Sequence, residues 1–365
     1  MNRRQALRVA VGFAGIALFA QSLHIVGLER IRDGVGRVGW GFAAILMLSG
    51  ARELARTLAW TRTVEGPAPL RFAQAFRARL VGEALNTLLP MGMMVGEPIK
   101  ASHVGTDIPF ATAFTALAVE FAFYCGSLAL LFGAGLLAFI GLNKVPIDDT
   151  PVMSFGLISG GLIAVILLTA VGWTRGIGKE HAEVVEGGGS QGAITQALSG
   201  LRRLRVLVFG FVSRHPEQVR AIVACEIAYQ LLAVAEVYVA LVLISPLRPT
   251  VASAVVLETV SRAITMLFKI VPMRIGVDEI GSSLFAARLD LTGATGLTLA
   301  LVRKLRLLFW SAVGLAILLP RSSLVTPAVR ALVSRLFMGA QPTPGSFAAR
   351  RPARFGNPLS IQRIE

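Results

Sequence analysis

Leu85–Lys100 reads LNTLLPMGMMVGEPIK, a run apolar enough for membrane depth that still holds Asn86, Glu97 and Lys100. Pro90 and Pro98 each remove a backbone donor, and Gly92 and Gly96 permit dihedrals that a helix does not use. A continuous membrane helix is not written this way. Irregular backbone at bilayer depth survives only where protein or a water-filled cavity satisfies its polar groups. Val271–Ile280, VPMRIGVDEI, echoes the pattern: aligning Pro90 with Pro272 also matches Met91 with Met273, Val95 with Val277 and Glu97 with Glu279. Both copies are broken by Gly and Pro, bear a carboxylate and lie in apolar halves. Paired interruptions of this kind point to a transporter's central site.

The surrounding composition agrees. The 365 residues are 54% apolar and only 16% charged, with mean hydropathy +0.68. That excludes an ordinary soluble domain and predicts an all-α, polytopic membrane protein. The net charge of +15 comes mostly from arginines that flank apolar runs. Orienting the chain and touching anionic headgroups accounts for them better than nucleic acid does. Cys125 and Cys225 sit inside apolar runs and read as small buried hydrophobes. The four histidines show no metal spacing, and no dinucleotide, Walker A or nucleophile-elbow motif occurs. The sequence therefore predicts no metal, no cofactor, no catalytic residue and no ATP-driven or soluble-enzyme chemistry.

Taken in order, basic Met1–Arg8 precedes an apolar Val9–Ile25, read as an uncleaved first span. Val38–Trp60 is the second span, with Arg52, Glu53 and Arg56 in its last third, where long side chains snorkel to the interface. Arg62, Arg71, Arg77 and Arg79 form a basic segment of cytoplasmic character, and Leu70–Leu89 reads as an amphipathic helix leading into the first motif. Phe110–Ile140 is the third span, Val152–Trp173 the fourth and Val219–Ile244 the fifth. Thr250–Val271 runs into the second motif, and Gly293–Leu319 is the last span. A basic loop at 174–216 and a basic tail at 321–365, with Phe347–Glu365 disordered, read as cytoplasmic.

If each motif dips and returns, six full spans place both termini inside. The segments 38–140 and 219–319 then form inverted repeats within a transmembrane domain at 1–320. An eight-span arrangement, with both motifs crossing, also keeps both ends inside.

An ionised carboxylate at membrane depth costs about 2.5–3.5 kcal/mol on insertion scales, so each needs a partner or a purpose. Glu97 and Glu279 either titrate or bind a cation or headgroup, or they cap the helix after each break. Lys100 either joins that site or pairs with Glu97. Asn86 and the break residues Pro90, Gly96, Pro272 and Gly276 either contact a ligand or shape a turn. Glu258 and Arg262, at i and i+4, form an ion pair or part of a polar path. Arg303 and Arg306 share a face with Trp310 midway along a span, and contact with an anionic group such as phosphate is the favoured reading. Lys304 faces elsewhere and reads as a carboxylate's partner. Interhelical hydrogen bonds account for Glu120, Glu226 and Glu236.

Arg79–Lys100, RLVGEALNTLLPMGMMVGEPIK, resembles the G-x-x-x-N-x-x-x-P…G-E/D-x-x-[KR] segment of the lysylphosphatidylglycerol synthase transmembrane-region family of flippase-like proteins. Glu258–Glu279 looks like that family's second block. VAEVYVAL, E-x-x-S-R and V-R-K-L-R look closest to its hopanoid-locus-associated branch. The resemblance covers roughly residues 5–320, and two positions depart from the pattern: Arg274, and Met91–Met94. It implies a bacterial inner-membrane protein that moves lipids between leaflets or toward the outer membrane, with a hopanoid or an anionic or modified phospholipid as cargo. Membrane lipids are the expected partners, with lipid-biosynthesis or envelope-transport proteins as further candidates. The rival readings are an intramembrane transferase acting on a lipid-linked substrate and a non-catalytic scaffold for lipid-synthesis enzymes.

Overall fold

The computed structural model describes residues 36, 38–66, 69–89, 92–105, 108–143, 206–268, 274 and 276–318; their regular structure is helical, with no strand among them. The first span at Val9–Ile25, the fourth at Val152–Trp173, most of the basic loop, the tail and the motif prolines Pro90 and Pro272 lie outside the described residues.

Helix α1, Gly41–Thr63, begins after Gly39 and ends where Val64 turns extended, with Arg62 in its last turn facing the negative end of the dipole. Helix α2, Phe72–Leu88, stops at an extended Leu89 just before Pro90, which disfavours a helical residue ahead of it. Helix α3, Met93–Ser102, restarts after Gly92 and contains Pro98. These two helices meet backbone to backbone. A Cβ on Gly96 would lie 2.0 Å from Asn86 Oδ1 and 2.6 Å from the Gly82 carbonyl oxygen, so only glycine permits the approach.

Helix α4, Phe110–Asn143, has 34 residues, or about 50 Å at 1.5 Å per residue, more than a 30 Å hydrocarbon core requires. A helical stretch at 206–214 precedes α5, Pro216–Ile244, which opens with proline in its first turn, where the missing N–H costs nothing. Helix α6, Val251–Leu267, is capped reciprocally by Thr250 and Ser253. It ends short of the expected Val271, because Phe268 leaves the helical region. Helix α7, Val277–Arg288, follows Gly276 at φ +88°, a value that favours glycine. Helix α8, Gly293–Leu318, completes the described chain.

α1 lies chiefly on α5. α2 packs on α3 and α8, α6 on α7 and α4, and α7 on α8. Phe110–Leu142 and Pro216–Ile244 are long and apolar enough to cross a membrane, each with mean hydropathy 2.1. Their outward faces carry Leu130, Leu137, Ile140, Leu231 and Val242, all exposed. The charged residues are inside instead: Arg79, Lys100, Glu120, Glu226, Glu236 and Lys304 are all buried. Apolar outside and ionic inside suits hydrocarbon as solvent, because hydrocarbon offers an exposed charge no hydrogen bond.

Candidate functional site

The interior charges surround one cavity of about 300 Å³ that draws residues from α1 through α8, including both broken segments: Asn86, Gly92 and Glu97 from the first, Arg274 and Asp278 from the second. Helical periodicity places them there. Arg52 and Arg56 are one turn apart on α1, facing a stripe on α5 formed by Glu226, Tyr229 and Glu236.

Three buried carboxylates are each shared by two arginines. Glu236 on α5 accepts from Arg52 Nη1 at 2.6 Å and from Arg306 on α8. Glu258 on α6 accepts from Arg262 Nε at 2.8 Å, one turn along, and from Arg303 Nη2 at 3.1 Å. Glu120 on α4 takes Arg56 in a two-pronged contact at 2.9 and 3.0 Å, and Arg79 Nη2 from α2 at 3.0 Å. Each triad carries one excess positive charge. Tyr229 sits among them: the guanidinium carbons of Arg52, Arg56 and Arg262 lie 4.9, 5.4 and 5.3 Å from its ring centre. Its hydroxyl accepts from Arg52 Nη2 at 3.1 Å. Tyr124 adds a second face, 4.2 Å below Arg56. In such surroundings, removing one member of an ion pair leaves an uncompensated charge, at a cost of about 3–5 kcal/mol.

The broken segments are wired differently. Lys100 Nζ donates to Glu83 at 2.6 Å and Glu97 at 2.7 Å, and Asn86 Nδ2 donates to Glu97 at 3.1 Å. Glu279 accepts the Gly276 backbone N–H at 2.9 Å, capping α7, and pairs with Lys304 of α8. Arg274 Nε donates to Asp278 at 3.2 Å, with Arg274 itself at φ +48°.

Asn86, Glu97, Glu258, Arg262, Arg303 and Arg306 line the cavity. Lys100 and Glu279 lie outside the lining, tied respectively to Glu83 and Glu97 and to Lys304, while Gly96 and Gly276 shape the backbone. Arg303 and Arg306 hold carboxylates, so an arriving anion would share or displace Glu258 and Glu236. Two readings need correction. Arg52 and Arg56 do not snorkel, and Arg79 turns from the basic segment into the interior: Arg52 is 5% exposed and Arg79 0%, each held by an acid on another helix. Snorkelling was inferred from nearness to a helix end, whereas the deciding partners, Glu236 and Glu120, are distant in sequence. The i,i+4 spacing of Arg52 and Arg56 within an apolar helix was the available signal. Glu53, Glu83, Tyr124 and Tyr229 also join the lining without having been singled out as site residues.

Several lining residues also keep one buried polar atom without a hydrogen-bond partner among the described residues: Arg52 Nε, Arg262 Nη2, Glu53 Oε2, Asn86 Oδ1 and Asp278 Oδ1. With charged side chains of both signs around it, the cavity suits a polar occupant better than an apolar one. The described residues contain no cluster of acidic, histidine or cysteine side chains suited to a metal ion.

The family model described as the lysylphosphatidylglycerol synthase TM region matches residues 5–316. No curated protein and no solved structure matches the chain.

Proposed function

The chain belongs to the lysylphosphatidylglycerol synthase transmembrane-region family, and from that premise we propose that it carries a lipid between the leaflets of a bacterial inner membrane, with the headgroup in the central cavity and the tails outside it. The observation that carries this reading is the cavity itself. Residues of both broken segments reach it, charged side chains of both signs line it, and the helices around it turn apolar faces outward. A volume of about 300 Å³ is at the small end for ligand pockets and suits a headgroup rather than a whole lipid.

Arginine triads with excess positive charge favour an anionic or modified phospholipid over a hopanoid, whose hydroxylated tail offers no charge to pair with them. Such a cycle makes and breaks no covalent bond in the lipid, so we read the protein as a transporter and not an enzyme. Six full spans, with both termini cytoplasmic and α1–α4 repeated inverted as α5–α8, are part of the same proposal. The packing scheme supports it: α1 lies on α5, and the α2–α3 and α2–α8 contacts have counterparts in α6–α7 and α6–α4.

The test uses purified protein in vesicles containing phosphatidylglycerol labelled on an acyl chain, with impermeant quenching of the outer leaflet. Wild-type protein should speed exchange over protein-free vesicles, and Arg262→Gln should slow it at least tenfold while the protein stays folded. Exchange no faster than in empty vesicles, or a chemically altered lipid product, would overturn the reading.

A further inference from the structure

One buried acid is wired unlike the rest. Glu226 on α5 is 1% exposed and does not line the cavity. Its Oε1 has no hydrogen-bond partner among the described residues and lies 3.9 Å from Arg56 Nε, whose N–H is already given to Glu120 at 2.9 Å. Its Oε2 is 3.5 Å from Ser127 Oγ. That hydroxyl has a single proton, and the Tyr124 carbonyl oxygen at 2.9 Å is the better placed acceptor. Ser127 Oγ also accepts from Gln230 Nε2 at 2.9 Å, leaving it one lone pair. Ser127 can give that proton either to Glu226 or to Tyr124, and with it on the nearer Tyr124 carbonyl the contact with Glu226 needs a proton on the glutamate. An ionised carboxylate would then be buried with no close donor, an arrangement that proteins avoid by neutralising the group.

Charged and titratable groups of several described helices surround Glu226, with Arg62 of α1 in electrostatic reach of Cys225. α1 presents Arg56, and Arg52 one turn back is bound to Glu236. α4 presents Glu120 and Tyr124, with Arg79 of α2 beyond Glu120. Tyr229 and Cys225 are on α5 itself, and Arg262 of α6 lies over Tyr229. Arg306 of α8 is engaged by Glu236. The 206–214 stretch packs apolar Val208 and Phe211 here, and Arg214 and His215 pair with Glu65.

We propose that Glu226 is a proton-binding site and that Arg56 moves between Glu120 and Glu226 as that proton leaves and returns. When the carboxyl O–H gives its proton to water, the carboxylate draws the Arg56 Nε–H across the 3.9 Å gap, while Glu120 keeps Arg79. Reprotonation reverses the exchange. Arg56 and Glu120 line the cavity and Glu226 does not, so the proton acts on the headgroup site at one remove. The proton site stands on the geometry alone, and its coupling to lipid movement rests on the transport reading above. Glu97 and Glu279 are paired with Lys100 and Lys304.

Glu226→Gln is the decisive variant, because its amide can still donate to Ser127 and it fixes the neutral state. Infrared spectra of the purified protein in vesicles should show the carbonyl band of a protonated carboxyl. That band should be lost in Glu226→Gln and kept in Glu97→Gln and Glu279→Gln. A band unchanged in Glu226→Gln overturns the proton site. Lipid exchange should vary with pH in the wild type and be flat in Glu226→Gln; a wild-type rate already flat overturns the coupling. If no variant moves lipid, the transport reading fails and the infrared result alone decides the proton site.

Discussion

Glu236→Gln tests the electrostatic argument most directly. The substitution keeps the side chain's shape and removes the one charge that Arg52 and Arg306 share, at a position 2% exposed. Two guanidiniums then sit in the interior with no carboxylate between them. Breaking one buried pair costs about 3–5 kcal/mol, and at about 1.4 kcal/mol per decade that shifts the folding equilibrium by roughly two to three and a half orders of magnitude. Glu97→Gln provides the contrast. Its side chain is 28% exposed, and Lys100 keeps Glu83 at 2.6 Å, so the loss should stay near the ~1 kcal/mol typical of solvated pairs. Unfolding of both variants in mixed detergent micelles, followed by far-UV circular dichroism, measures the difference. The double variant Glu236→Gln, Arg306→Gln should recover part of the loss, because it removes one of the two uncompensated cations and restores the triad's net charge of one. If the two single variants are equally stable, or the double is worse than Glu236→Gln, the interior charges do not support one another as described.

Other outcomes follow from the same geometry. Gly96→Ala should cost about 1–3 kcal/mol, since its Cβ meets the Gly82 carbonyl at 2.6 Å and rigid backbone cannot yield; Gly126→Ala, with nothing within 4 Å, should be close to neutral in the same micelle unfolding assay. Trp310→Phe should lose about 1 kcal/mol with the 2.8 Å hydrogen bond from its indole nitrogen to Ser49 Oγ, while Trp310→Tyr should not restore it if that contact is the cause. Single cysteines at Met91 and Met273, in a background lacking Cys125 and Cys225, should react with an impermeant maleimide from opposite faces of the membrane. Labelling of both from one face would remove the inverted repeat.

Local chemistry made part of this legible in advance. Proline and glycine act on their own backbone, so Pro90, Gly92 and Gly96 announced the break between α2 and α3 without any knowledge of neighbours. Glu258 and Arg262 are one helical turn apart, and their pairing at 2.8 Å needed no tertiary information. The triads were a different matter. Arg52 finds Glu236, and Arg79 finds Glu120, only after four helices have packed, and nothing local to either arginine separates an interior ion pair from an interfacial one. Lys304 was separable from Arg303 and Arg306 because the helical angle already points it elsewhere. Glu226 differed from Glu120 and Glu236 only in which donors the fold had left for it, and a sequence holds no record of that.

The sharing of carboxylates also sets the mechanics of the molecule. Glu236 fastens α5 to α1 and α8, Glu120 fastens α4 to α1 and α2, and Glu258 fastens α6 to α8. A joint with three members cannot slide along one of them without loosening both others, so α1, α5 and α8 behave as a braced frame. The ion pairs of α3, by contrast, close back on its own hairpin through Lys100. Force applied to the cavity is therefore resisted by the frame, and the short helix beside it is the lever with least to break.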